Sequence, residues 1–372
     1  MTVEEIRGYL KEVRHPARQD ADIVELGLVE DIAIGEGGVV VTLAFPKRKD
    51  PLEKYIIGAT RAALIRGLGM DVHSEVRTVV KDESPRQQPQ GLGTEMLSNV
   101  KHIIGVASGK GGVGKSTVAV NLAVALARSG YKVGLADADV YGPSVPVMTG
   151  TEGITPSGEQ IDGKDYIVPL EKWGVKWMSI GYFAKRGQAL IWRGPMASNA
   201  LKQLILQVNW GELDFLLIDM PPGTGDIHLA LVNDIPMQGA IMVTTPQNVA
   251  LADVEKAADM FRNENIARPI YGVVENMSWF TPAAHPEERY EIFGAGGGQK
   301  VAAQLGVPLL SQIPLVQGIR EAGDAGQPAA LGTGPDAAAF LALASSLATS
   351  LASSLASSLA HHQADNMMAN NQ

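Results

Sequence analysis

The sequence predicts a doubly wound α/β domain built on a parallel sheet, preceded by a small α+β domain. From Lys101 onward, short apolar runs ("HIIGVAS", "KVGLAD", "DFLLIDM", "GAIMVTT", "PIYGVVEN", "PLLSQIP") alternate with helical stretches such as "STVAVNLAVALARSG" and "NVALADVEKAADMFRNEN". Strands joined by crossover helices pair in parallel, and runs apolar on both faces belong to a buried sheet. The stretch "GKGGVGKST" (109–117) lies between the first such run and the first long helix. Ligands of such sheets sit at the carboxyl ends of the strands.

Taken in order, residues 1–82 form a unit of their own. A polar helix (Val3 to Val13) leads into "DIVELGLVEDIAI", a turn at Gly37-Gly38 and the alternating run "VVVTLAF", which together predict a β-hairpin. After Pro46, "PLEKYIIGATRAALIRGLG" has helical spacing and stops at Gly67 and Gly69; a last strand, "SEVRTVV", follows. Residues 83–100 are rich in Pro, Gly and Gln and lack periodicity, as a linker does. The α/β domain then spans 101–340. In the remainder, 341–372, leucines at 343, 347, 351, 355 and 359 recur every four residues among Ala and Ser. That spacing drifts around a helix axis, so the segment is expected to be a frayed helix or disordered, a partner-binding helix being the other reading.

The chain has 372 residues, a net charge of -9 and no cysteine. The acidic balance argues against a nucleic-acid footprint. The N-terminus lacks an apolar core of signal-peptide length and no later run is expected to span a bilayer, so a cytoplasmic protein is expected. Disulfides and thiolate-held metals are excluded.

The phosphate-loop pattern G-x-x-x-x-G-K-[ST] runs from Gly109 through Lys110, Gly111, Gly112, Val113 and Gly114 to Lys115 and Ser116. Its glycines let successive N–H groups turn toward phosphates, and the helix N-terminus adds a favourable dipole. Lys115 is expected to reach the terminal phosphates of ATP, the Ser116 hydroxyl to ligate Mg2+, and Thr117 to bond phosphate oxygens. The same letters contain G-x-G-x-x-G with Asp137 downstream, but a dinucleotide turn has no use for Lys115-Ser116-Thr117, whereas a Mg-nucleotide site needs them. Asp219 ends the apolar strand "DFLLID" and is the candidate to hold magnesium through water. Asp137 and Asp139 end a neighbouring strand, Asp137 suiting the magnesium shell and Asp139 the positioning of an attacking water; paired acids there also serve as plain turn formers.

With "DADVYGPS", "DMPPGTGD" and "ENMSWF", the loop resembles the deviant Walker A ATPases, a subgroup of P-loop NTPases. That resemblance implies that Lys110 crosses a homodimer interface to the partner's nucleotide, a fixed cation supplied in trans. Within the class, "YGPSVP", "IWRGPMAS", "PPGTGDIHL" and "IPLVQGIREAGDAGQP" resemble the Mrp/ApbC family of ATP-dependent iron-sulfur cluster carriers over about 101–332, and the N-terminal unit is similar to a small domain of iron-sulfur assembly proteins. The resemblance implies a slow Mg-dependent ATPase, iron-sulfur assembly or apoprotein partners, and a base site around Asn276 and Pro314. It also implies a C-x-x-C after "ENMS.F", where this chain has "ENMSWFTPAAHPEERYEIFG", and a cysteine in a turn where Asp50-Pro51 stands. Three readings follow: a metal site remade from His285, Glu287, Glu288 and Tyr290, whose donors suit harder ions; a nucleotide-switch adaptor that holds no cluster; or a carrier whose cluster is held by other ligands or a partner's thiols. His361 and His362 are expected to be polar tail. Septum-positioning and partition ATPases are the alternative within the fold, but they use basic DNA-binding surfaces or a basic membrane helix, and no Lys or Arg follows Arg320.

Overall fold

The computed structural model describes residues 2–15, 18–35, 38–45, 52–69, 72–80, 94–183, 194–263, 266–282, 284–285 and 287–369. Gly37, Asp50, Pro51, most of the expected linker and Ile191–Arg193 lie outside the described residues, as do the side chains of His361 and His362. Contacts divide the chain into two compact units, Met1–Gly91 and Leu92–Gln372.

The first unit begins with α1 (Val3–Leu10), opened by a reciprocal cap in which Thr2 accepts from the Glu5 amide and Glu5 accepts from the Thr2 amide. A short hairpin follows, β1 (Arg14–His15) and β2 (Arg18–Asp22), which the sequence did not announce. Next come β3 (Val29–Gly35), β4 (Gly38–Phe45), α2 (Glu53–Leu68) and β5 (Ser74–Val80). β4 is the centre of a three-stranded sheet, antiparallel to β3 and parallel to β5, because α2 is a crossover. Ile6, Leu10, Val41, Leu43, Ile56 and Leu64 form its core.

The second unit contains β6 (Val100–Ala107), α3 (Lys115–Arg128), β7 (Val133–Asp137), α4 (Val145–Thr149), β8 (Gly158–Ile161), β9 (Lys164–Ile167), β10 (Leu170–Lys172), β11 (Val175–Ser179), α5 (Gly194–Leu206), β12 (Leu213–Asp219), α6 (Asp226–Asp234), β13 (Gly239–Thr244), α7 (Asn248–Arg262), β14 (Ile270–Glu275), α8 (Gly297–Leu305), β15 (Leu309–Gln312), α9 (Gln317–Asp324) and α10 (Pro335–Ala369). Eight strands form one sheet in the order β10-β11-β7-β12-β6-β13-β14-β15, parallel except for β10. The six expected strands are all present. β10 and β11 extend the sheet beyond β7 and went unread, because "LEKWGVKWMS" mixes lysines and a glycine turn into its apolar positions.

Register places the chemistry. Asp219 of β12 is level with Asp137 of β7 and Val106 of β6, and Asp137 is level with Ser179 of β11. Neighbouring strands lie about 4.8 Å apart, so three polar side chains from three strands converge at the carboxyl edge of the sheet.

Over 341–351 the structure replaces the expected frayed tail with a packed helix. α10 starts at Pro335, and Phe340, Leu343, Ala344, Leu347 and Leu351 are buried as it packs on α3, β14 and β15. A four-residue leucine spacing drifts by about 40° per repeat, so three leucines still share one face even though five would not. Its first twenty residues, Pro335–Ser354, are also long and apolar enough to cross a membrane, which the sequence reading did not foresee; their apolar stripe is spent on the core. Accordingly, Leu347→Ala should cost about 2–5 kcal/mol in denaturant unfolding, whereas Ser345→Ala, on the exposed face of the same helix, should change stability by less than about 0.5 kcal/mol.

Candidate functional site

The phosphate loop leaves β6 at the centre of the sheet and enters α3 at Lys115. Two of its glycines are sterically required. A Cβ on Gly109 would lie 2.0 Å from the Asp253 carbonyl of α7, and Gly114 combines a left-handed φ of 80° with an Asn276 amide nitrogen 2.3 Å from where a Cβ would be. Asn276 is buried, donates through Nδ2 to the Val113 carbonyl (2.8 Å), and precedes Met277, whose φ is 55°. The loop from β14 is thus locked onto the phosphate loop from behind.

Lys115, only 6% exposed, forms an ion pair with Oδ1 of Asp219 and lies 3.3 Å from the Ser116 hydroxyl. The second oxygen of Asp219, Oδ2, is buried without a hydrogen-bond partner. Asp137 accepts from the Ser179 hydroxyl (2.9 Å) and from the amides of Asp139 (3.1 Å) and Val145 (3.3 Å). Burial, then the neighbouring Asp219 carboxylate, push its pKa up to about 7 against the pull of Lys115 and these bonds. His228, in the first turn of α6, is fully buried with Nε2 unpartnered; burial and the Lys115 charge depress its pKa to about 4, so the imidazole is neutral.

Around this centre are two contiguous cavities. A small one of about 200 Å3 is lined by Lys110, Gly112, Lys115, Ser116, Thr117 and Asp139. A larger one of about 540 Å3 adjoins it through Gly114, Thr117, Ser144 and Met148, and its walls include Asn276, Pro314, Ile319 and Arg320. The first has the size and donors for phosphates, the second the apolar lining suited to a base and ribose. Asp139 is half-buried, with Oδ1 accepting from the Tyr141 and Gly142 amides, so one carboxylate oxygen is engaged in a turn at the rim of the phosphate cavity.

Every residue proposed from the sequence for nucleotide or magnesium therefore lies on these cavities or directly behind them. Ser179 and His228 were missed. Ser179 sits on the unread strand β11, and His228 lies inside the run "PPGTGDIHL" that marks the resemblance but was not singled out within it. His285, Glu287 and Glu288 do gather, with one ligand atom from each within 4.8 Å of the others, and Tyr290 donates its hydroxyl to Glu288. All of these residues are exposed or half-exposed.

Residues 99–349 match the model of the NUBPL iron-transfer P-loop NTPase family. The chain belongs to that family. Among relatives of this NTPase, the iron-sulfur cluster carrier protein of Synechocystis is 42% identical over 328 residues, covering 88% of this chain and 91% of its own length. That of Aquifex aeolicus is 43% identical over 85% and 90%. The mouse iron-sulfur cluster transfer protein NUBPL is 44% identical over 70% and 79%. The nucleotide-binding protein of Archaeoglobus fulgidus, solved in complex with ADP, is 36% identical and superposes with a TM-score of 0.56 over 65% of this chain and 93% of that one.

A folded-state pKa of Asp137 above its unfolded value means that the native protein holds a proton which the unfolded chain has lost. Stability therefore falls as pH rises between about 4 and 7. Asp137→Asn should remove that slope: thermal unfolding followed from pH 4 to 8 should give the variant a gain over the parent of about 2–4 °C at pH 8, shrinking toward pH 4.

Proposed function

We propose that this NTPase is a slow Mg-dependent ATPase, acting as a cytoplasmic homodimer in iron-sulfur cluster assembly or in transfer to apoproteins. The observation that carries this reading is its likeness over 88% of the chain to a protein named iron-sulfur cluster carrier, with a complete phosphate loop retained. Lys115 leaves Asp219 for the terminal phosphates, while the loop amides hold the remaining oxygens. The Ser116 hydroxyl, with Asp219 and Asp137 behind it, holds the magnesium, whose charge neutralises the phosphates; the unpartnered Oδ2 of Asp219 fits that use. Asp139 orients the attacking water through its free oxygen. Lys110, at the mouth of the phosphate cavity, acts on the nucleotide of a second copy and couples hydrolysis to dimerisation. Asn276, Pro314 and the larger cavity take the base.

The cluster is cargo in this scheme, and the donors present do not fit a thiolate-held cluster, because the chain contains no cysteine. The His285, Glu287 and Glu288 donors match harder ions. The missing thiolates favour a specific second reading: a nucleotide-switch adaptor that holds no cluster itself.

Lys115→Ala should weaken ATP binding about 10- to 100-fold. Asp139→Asn should leave binding intact and lower kcat by about 10²–10³-fold, and Lys110→Ala should lower kcat by about 10³-fold or more while shifting the dimer to monomer in Mg-ATP by light scattering. Anaerobic reconstitution with iron and sulfide, then desalting and metal analysis, separates carrier from adaptor. Stoichiometric iron with a charge-transfer band, lost in His285→Ala, supports a cysteine-free carrier site; a protein that hydrolyses ATP and retains no iron supports the adaptor. Absence of ATP hydrolysis with Mg2+ at any protein concentration overturns the ATPase reading.

A further inference from the structure

Among the described residues, His228 is a buried ionisable group that the scheme above leaves without a task and that, unlike Glu275 and Asp22, has a side-chain atom without a hydrogen-bond partner. It is 1% exposed, its Nε2 has no hydrogen-bond partner, and no lining of either cavity includes it. A buried polar atom left unpaired carries a desolvation cost that a core position filled by Leu or Met would not incur. The residue is also well anchored: its amide donates to the Gly225 carbonyl (2.9 Å), and α6 packs on α5.

Oδ2 of Asp219, the carboxylate that pairs with Lys115 through Oδ1, is a second buried polar atom without a hydrogen-bond partner. Asp219 and His228 bracket one loop, Met220 to Gly225, so whatever moves that loop moves the two relative to each other. While Lys115 bonds Asp219, the carboxylate is neutralised by the ammonium. A lysine that turns to a phosphate takes that charge and its N–H away, and the buried carboxylate then needs another donor to stay oriented toward a magnesium-bound water. A neutral imidazole supplies one N–H without adding charge.

We propose that His228 is a positioning residue for the magnesium site, its Nε2–H taking over the Asp219 carboxylate when Lys115 moves to the nucleotide. The proposal rests on the Mg-ATP reading given above and assigns the histidine to the loaded state. It touches no substrate atom and acts only through Asp219.

The test is a magnesium titration of nucleotide binding, using a fluorescent ATP analogue and the full chain. His228→Ala should raise the Mg2+ concentration for half-maximal binding about tenfold, and leave analogue affinity in EDTA within a factor of two. His228→Gln, which keeps an N–H donor, should recover most of the loss. A folded His228→Ala with an unchanged Mg2+ midpoint, or with affinity reduced equally in EDTA, overturns the proposal and leaves a structural histidine. Should His228→Ala fail to fold, nitrogen-15 NMR of the parent's imidazoles decides: the Nε2 resonance of His228, assigned with the Gln variant, should shift on adding Mg-ATP and not on adding ATP in EDTA. A resonance that ignores Mg-ATP while the analogue binds refutes the role of His228 alone. A parent that binds no nucleotide with or without Mg2+ refutes the Mg-ATP reading and this proposal together.

Discussion

Asp137 and Asp219 stand at the same register on adjacent parallel strands, both fully buried, with one ammonium, Lys115, beside them. Two like charges about 5 Å apart repel by about 3 kcal/mol even at an effective dielectric of about 20, and each also bears the cost of leaving water. The site answers this in two ways. Lys115 neutralises Asp219, while Asp137, already holding bonds from Ser179 and two backbone amides, keeps a raised pKa. Such a centre is cation-hungry by construction. In the proposed scheme, a lysine drawn to a phosphate would leave two carboxylates for which a divalent ion is the natural replacement, so nucleotide and magnesium would exchange with the lysine rather than simply add to it.

The fold supplies the rigidity that this exchange requires. β6, β7 and β12 are interior strands of an eight-stranded sheet, and α3, which begins at Lys115, is buried along nearly its whole length between that sheet and α10. Neither Lys115 nor the carboxylates can relieve repulsion by backbone movement. The segment after Asp219, Met220 to Gly225, leads directly into α6 and so connects the carboxylate to that helix.

What was legible in the sequence divides along the same line. Motifs whose function depends on contiguous residues, Gly109 to Thr117, or on a strand end, Asp137 and Asp219, can be read from spacing because the chemistry and the local backbone coincide. Ser179 and His228 are set by tertiary placement: one depends on a strand masked by lysines, the other on burial that no periodicity in "GDIHLALV" reveals. The leucines of α10 show the opposite error. Their spacing was visible, but whether three turns of a drifting stripe find a groove is decided by α3, which lies more than 200 residues away in sequence.

The loop that carries His285, Glu287 and Glu288 is mechanically tied to the nucleotide cavity, and this bears on any cargo role. Phe280 bridges Tyr290 on one side and Leu315 on the other, the Leu315 amide donates to the Trp279 carbonyl, and Arg289 lies 3.9 Å over the Trp279 ring. Leu315 and Asn276 both line the larger cavity. A base entering that cavity therefore meets the segments at both roots of the loop, whatever the loop's own side chains hold. These connections are backbone bridges and do not depend on cysteine. The donor set at 285–290 and the nucleotide site are therefore separable questions in this protein.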